Sequence, residues 1–264
     1  MTSAHVALKS VTKRFPPSAG GQAVHALGPI DLSIRQGEFF AVVGPSGCGK
    51  STLLELIAGL TPASEGRIEF EGRAIENEIP DGIGVVFQED ACFPWLSVQE
   101  NVEFGLRKAA LTPEEKTRRV HDAIAMMGLG EFARSYPAQL SGGMRQRVCI
   151  ARTLVLRPRL ILLDEPFGAL DQQTRLLMGE ELLRLWRETG ATVMLITHAL
   201  DEAALLSDRV AVMSARPGRL IDIVTTGWPR ERDSTLVADP TFGALTGRLW
   251  ALLRDESKKA LGVS

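Results

Sequence analysis

Residues 39–60 read FFAVVGPSGCGKSTLLELIAGL, and no other stretch restricts the fold as tightly. Phe39 to Val43 is an unbroken apolar run ending in glycine, the pattern of a strand buried on both faces. From Ser51 to Leu60 the pattern is helical, closed by Gly59 and Pro62. Between strand and helix, Gly44, Gly49, Lys50 and Ser51 satisfy G-x-x-x-x-G-K-S. A buried strand that turns through glycines into a helix belongs to an α/β fold, with a mostly parallel sheet covered on both faces.

The same loop carries chemistry. Its glycines let successive backbone N–H groups point inward at phosphate oxygens. The following helix presents its positive end to the same anion. Gly44, Pro45, Ser46, Gly47, Cys48, Gly49, Lys50, Ser51 and Thr52 are therefore the candidate phosphate cradle. Lys50 suits the β- and γ-phosphates and the Ser51 hydroxyl suits Mg2+. Cys48 serves as a spacer that supplies a backbone N–H.

Two further strands deliver charged residues to the edge where this loop lies. Asp164 and Glu165 end the run LILL, and His198 follows VMLIT. A buried strand places its next residues at the carboxyl edge of the sheet. Asp164 is the candidate Mg2+ partner through water, and Glu165 the base that polarises an attacking water. His198 is placed to contact a γ-phosphate or hold that water. Gln88 ends IGVVF and is a candidate for binding Mg2+ while sensing the γ-phosphate.

Ser141, Gly142 and Gly143 open a helix within LSGGMRQRV. A serine hydroxyl and bare N–H groups at a helix N-terminus form a second anion site. One phosphate loop with two anion-binding helix ends implies two copies arranged head to tail. Each Ser141 segment then covers the partner copy's γ-phosphate, and two ATP molecules are buried in a closed two-fold dimer.

Elsewhere, Val6 and Leu8 alternate, as do Ile30, Leu32 and Ile34, which predicts strands separated by a turn at Pro16, Pro17, Gly20 and Gly21. Ile68–Phe70, Ile83–Phe87, Leu160–Leu163, Thr192–Ile196 and Arg209–Met213 are further expected strands. Between about Glu89 and Leu156 the pattern becomes helical, with helices expected over Glu114–Met127 and Gly142–Leu156. Another helix is expected over Gln172–Thr189. Leu245, Leu249, Leu252 and Leu253 form a helical stripe that either packs on the core or meets a partner.

The chain has 264 residues, 45% of them apolar, and a formal net charge of −2, so no basic field points to nucleic acid. Cys48, Cys92 and Cys149 lie far apart in sequence with no metal-ligand spacing. The N-terminus MTSAHVALKS lacks an export pattern, which fits a reducing cytosol. No apolar run approaches the roughly 20 residues that span a bilayer, so a membrane role requires a partner that spans it.

In combination these segments resemble the ATPase subunit of ATP-binding cassette transporters, over roughly Val6 to Leu220. GPSGCGKS resembles the Walker A motif, LILLDE Walker B and LSGGMRQ the family signature. Gln88 corresponds to the Q-loop, Ala169-Leu170-Asp171 to the D-loop and His198 to the switch histidine. The resemblance implies a P-loop NTPase core, an antiparallel β subdomain and an inserted α-helical subdomain at about 89–156. These lie within an ATPase domain over 1–230, followed by a helical tail over 231–264. It also implies that Phe15 stacks on adenine, where the family most often has tyrosine; otherwise Phe15 is a core aromatic at a strand end. Asp171 joins the nucleotide site on the same grounds.

FQEDACFPWLSVQENVEFGL, THALDEAALLSDRVAVMSARPGRL and WPRERD resemble importer ATPases for nitrate, sulfonates or taurine. The short tail after Arg230 fits members of that group without an added regulatory domain. Gln88 to Asn101 would then meet a permease subunit, with Phe93, Trp95 and Leu96 exposed between Glu89, Asp90 and Glu100. Otherwise those apolar residues close the small subdomain. An external solute-binding protein and a peripheral position on the cytoplasmic face of the membrane follow from the resemblance. Exporter ATPases share the catalytic motifs but fit FPWLSV less well. Soluble translation or repair relatives carry two cassettes, or long insertions between Q-loop and signature. The short Gln88–Ser141 interval lacks heptads and paired cysteines.

Overall fold

The computed structural model describes residues 4–17, 23–76, 78–88, 91–168 and 170–262. Gly20, Gly21, Glu89, Asp90 and Ala169 lie outside the described residues.

Two sheets form. The first is antiparallel and joins β1 (Ala4–Phe15), β2 (Val24–Arg35), β4 (Glu65–Phe70) and β5 (Arg73–Ala74) in the order β2-β1-β4-β5. The second has six strands. They are β3 (Phe39–Val43), β6 (Ile83–Val86), β7 (Leu160–Asp164), β8 (Thr192–Ile196), β9 (Arg209–Met213) and β10 (Leu220–Thr225), ordered β10-β9-β3-β8-β7-β6. Its pairings are parallel except that of β10 with β9. The carboxyl ends of β6, β7, β8, β3 and β9 therefore share one edge, and every candidate catalytic residue follows one of them.

Period-two alternation divides the core. Phe39, Ala41 and Val43 face one buried cluster with Ile161, Leu163, Val193 and Leu195. Phe40 and Val42 face the other with Leu160, Leu162, Met194 and Ile196. The second cluster also holds Val6, Leu8, Leu32 and Ile68 of the antiparallel sheet. Helix α1 (Lys50–Ile57) lies between the two sheets, with Leu53, Leu54, Leu56 and Ile57 at most 1% exposed. Eight residues do not make a stable isolated helix. Burial of each of those side chains contributes about 2 kcal/mol and outweighs the nucleation cost.

On the other face, α2 (Val98–Gly105), α3 (Pro113–Met126) and α4 (Gly142–Leu154) pack together through Val98, Val102, Val120, Ile124 and Val148. Helix α5 (Gln172–Thr189) buries Leu182, Leu183 and Trp186. The Trp186 ring meets Phe39 edge-on at 5.7 Å. Helix α6 (Leu200–Leu206) follows β8. Helix α7 (Pro240–Leu261) buries Phe242, Leu249 and Leu253 against α6, β9 and β10, with Leu245 and Leu252 partly buried. The inner side of the apolar stripe is thus core, while Trp250 and Leu261 remain exposed.

Several bounds differ from expectation. Helix α1 starts at Lys50 and stops at Ile57, and α4 stops at Leu154 rather than Leu156. Helices α2 and α6 and strand β10 had no expected counterpart. The first two span eight and seven residues, too short for a 3.6-residue period to emerge. Among the described residues no helix is long and apolar enough to cross a membrane.

Candidate functional site

The phosphate loop bends because its glycines allow it to. Gly49 has φ +104°, and a Cβ there would sit 2.6 Å from the Leu27 side chain. Lys50 is buried, and its Nζ donates to Gly44 O at 2.9 Å and Pro45 O at 3.1 Å. The ammonium is thereby held across the mouth of its own loop. Cys48 is 1% exposed, and burial pushes its thiol above the usual range.

Strand register brings the other groups to this loop. Val42 pairs with Ile196, and Asp164 pairs with Ile196 from the opposite side. Past the strand ends, Thr197 N donates to Val42 O at 3.2 Å and Glu165 N donates to Ile196 O at 2.9 Å. Gln88 Nε2 donates to Glu165 Oε2 at 3.1 Å, and His198 Nδ1 lies 3.2 Å from the same oxygen. Glu165 holds φ +45°, a left-handed conformation that costs a side chain about 1–2 kcal/mol. Such strain persists where surrounding contacts impose it.

Asp164 is 7% exposed. Burial pushes its carboxyl above the usual carboxylate range, and a hydrogen bond from Ser51 opposes the rise; the Glu165 charge adds to it and Lys50 opposes it. Asp164 Oδ1 is buried with no hydrogen-bond partner. A buried, unpaired carboxylate oxygen beside a serine hydroxyl calls for a cation. The donors are hard oxygens, and Gln88 adds an amide; this set fits Mg2+, which takes few protein ligands alongside phosphate oxygens.

A cleft of about 610 Å³ gathers Phe15, Ser46, Gly47, Gly49, Lys50, Ser51, Thr52, Gln88, Glu165 and His198. Phe15 is 37% exposed, with Lys13 Nζ 4.9 Å from its ring centre, and so is not a core aromatic. Val24, Ala26 and Arg216 also line the cleft; Arg216 lies within the run THALDEAALLSDRVAVMSARPGRL, but none of the three was a candidate site residue. Arg216 had a signal nonetheless. It lies just past β9, and parallel pairing of β9 with β3 brings those residues beside the phosphate loop.

Ser141, Gly142, Gly143 and Asp171 are not among the described residues lining this cleft. Ser141 is exposed and caps α4, its Oγ accepting from Met144 N at 3.3 Å. Asp171 caps α5 by accepting from Gln173 N and Thr174 N, and these contacts, chiefly that with Thr174, hold its carboxyl below the usual range. A Cβ on Gly143 would lie 3.0 Å from Leu170, so the starts of α4 and α5 abut.

Folding also joins two cysteines that are distant in sequence. Cys92 Sγ lies 3.4 Å from Cys149 Sγ. Among the described residues no cluster of three His, Cys, Asp or Glu could hold a metal ion by itself.

Comparison with known proteins places the chain in a family. Residues 27–168 match the sequence model of the ABC transporter family. The taurine import ATP-binding protein TauB of Rhizobium johnstonii is 44% identical over 238 residues, 88% of this chain and 90% of that protein. The bicarbonate transport ATP-binding protein CmpC of Synechococcus elongatus is 44% identical over 260 residues, 97% of this chain but 39% of that longer protein. A dimeric ATP-binding cassette solved in a post-hydrolysis state with ADP and Pi is 34% identical, with a TM-score of 0.74 over 85% of this chain and 100% of that one. The chain belongs to the ABC transporter family and is one of its ATP-binding, ATP-hydrolysing subunits.

Proposed function

We propose that this subunit powers a solute importer of the nitrate, sulfonate or taurine type, as a head-to-tail homodimer on the cytoplasmic face of the membrane. The permease subunits dock on Gln88–Asn101 and receive solute from an external binding protein. One observation carries the reading: Lys50, Gln88, Glu165 and His198 share a cleft that the Ser141 helix end does not line. Ser141 is exposed, its helix N-terminus is an anion site, and the phosphate that it would bind belongs to a second copy.

The geometry supports the following roles. Phe15 stacks on adenine and the loop from Gly44 to Thr52 cradles the phosphates. Mg2+ held by Ser51, Asp164 and Gln88 would neutralise charge on the β- and γ-phosphates. Lys50 turns its ammonium from Gly44 O and Pro45 O toward the same oxygens. Glu165 accepts the proton of the attacking water, and His198 orients that water or contacts the γ-phosphate. Ser141, Gly142, Gly143 and Asp171 complete the site from the second copy. ATP thus contacts both subunits only when they close, and that differential contact drives closure. TauB and CmpC are named for different solutes, taurine and bicarbonate, so the family resemblance points to small solutes that carry an anionic group without choosing one.

The test pairs Ser46→Cys with Ser141→Cys in the Glu165→Gln background. An intersubunit disulfide that requires ATP is expected. A protein that remains monomeric while turning over ATP at full rate overturns the reading.

A further inference from the structure

Arg216 is a cation in the nucleotide cleft without an assigned role. It lies in the turn between β9 and β10. Its Nε and Nη2 both donate to Gly47 O, each at 3.2 Å. A guanidinium carries five N–H groups in a planar fork, so this single acceptor leaves donors free. Among the described residues no carboxylate pairs with Arg216, although the chain as a whole is net negative.

The turn is clamped on three sides, so Arg216 projects from a fixed base. Gly218 N donates to Ala26 O at 3.0 Å, and Gly28 N donates to Gly218 O at 2.9 Å. A Cβ on Gly218 would fall 2.1 Å from Cys48 O, a closeness that only glycine permits. From the other side, Ala215 N donates to Glu256 Oε2 at 2.9 Å, tying the turn to α7. Strand β2, the phosphate loop and the C-terminal helix thus hold the backbone beside Arg216.

Position along the cleft selects the part of the ligand. Arg216 both donates to a carbonyl of the loop and lines the cleft, so it sits on the rim of the cradle. On the ATP reading above, Glu165, Gln88 and His198 take the γ-phosphate end, while Phe15, Val24 and Ala26 line the same cleft from the β1–β2 sheet. The nucleoside leaves the cradle over that rim. We propose that Arg216 is a nucleotide-binding residue that pairs with the α-phosphate and ribose of ATP, an inference that rests on the ATP reading above. It deepens that reading by adding a contact from the β9–β10 turn.

The experiment measures the affinity of Mg2+-ATP and Mg2+-pyrophosphate for wild type, Arg216→Ala, Arg216→Lys and Lys50→Ala by titration calorimetry. The unfolding midpoint of each variant checks its fold. Arg216→Ala is expected to weaken ATP about tenfold, the scale of one charge-assisted contact, and to leave pyrophosphate, which lacks the α-phosphate and ribose, within about twofold. Arg216→Lys, which keeps the charge but not the fork, falls between. Equal loss for ATP and pyrophosphate would mean that Arg216 only shapes the loop, and it overturns the assignment. Unchanged ATP affinity also overturns it. If Lys50→Ala weakens ATP while Arg216→Ala does not, the Arg216 inference alone fails; if neither does, the ATP reading fails with it.

Discussion

His198 Nδ1 lies 3.2 Å from Glu165 Oε2. The two residues follow adjacent parallel strands, β8 and β7, whose ends are stitched together by Glu165 N donating to Ile196 O at 2.9 Å. Gln88, past β6, donates to the same carboxylate oxygen at 3.1 Å. Three consecutive strands of one sheet therefore converge on a single carboxylate. The φ of +45° at Glu165 turns its side chain at the strand end, a strained conformation that the neighbouring strands impose.

Glu165→Gln keeps an oxygen for Gln88 to donate to but removes the proton-accepting carboxylate. Turnover is expected to fall by on the order of 10² or more, while ATP affinity stays within a few-fold. Phosphate release and equilibrium nucleotide binding measure the two separately. Near-wild-type turnover would remove Glu165 from the role of base.

Asp164 carries a different expectation. Burial raises its carboxyl above the usual range, so the ligand-free fold loses stability as pH rises through that value. Asp164→Asn abolishes this penalty and also the partner for a cation. Without nucleotide the variant should unfold at a higher temperature than wild type at neutral pH. The stabilisation that Mg2+-ATP adds should be at least halved. Thermal unfolding with and without Mg2+-ATP reads both; a lower midpoint without nucleotide contradicts the burial argument.

Much of this was legible in the sequence where the local pattern and the tertiary environment agree. The run at 39–43 is apolar at every position because β3 is covered on both faces, and α5, β8 and β9 begin and end at their expected residues. Gln88, Glu165 and His198 were visible because strand ends are readable from apolar runs. Helix α2 escaped because its residues are half polar, although Ser97 and Glu100 form a capping box that marks its start. Arg216 escaped because its place depends on β9 pairing with β3, a long-range contact that no local period encodes. The meeting of Cys92 with Cys149 was hidden for the same reason.

Trp95 separates two readings of the segment after Gln88. Its side chain is 71% exposed, while Phe93 packs on Phe104 at 4.5 Å and under the Arg152 guanidinium at 5.1 Å. Phe93 thus belongs to the subdomain and Trp95 does not close it. Trp95→Ala should change the stability of the isolated subunit by less than about 0.5 kcal/mol. It should weaken attachment to the permease by about 2 kcal/mol or more, the scale of an interfacial aromatic anchor. Chemical denaturation and copurification with the membrane subunits test the pair. A large loss of stability with attachment intact would reverse the assignment.

Glu202 makes the stability of the loop that carries His198 depend on pH. It is 9% exposed on α6, accepts from Thr197 Oγ1 at 2.5 Å, and has Oε1 buried without a partner. Thr197 Oγ1 in turn accepts from Ala199 N at 3.0 Å, bracketing His198. Burial pushes the Glu202 carboxyl up to about 7; Thr197 and the Arg175 charge oppose the rise, and Glu165 and Asp201 add to it. The unfolded chain keeps the ordinary value of 4.5. The folded state therefore holds the proton more tightly, and the resulting stability is complete below 4.5 and lost as pH rises through 7. Glu202→Gln mimics the neutral acid and keeps an oxygen for Thr197, so its stability should not fall over this range. Relative to wild type the variant should gain about 3 kcal/mol between pH 4.5 and pH 8. Urea unfolding of both proteins at the two pH values measures the gap, and a gap that does not widen with pH means that Glu202 is ionised in the fold.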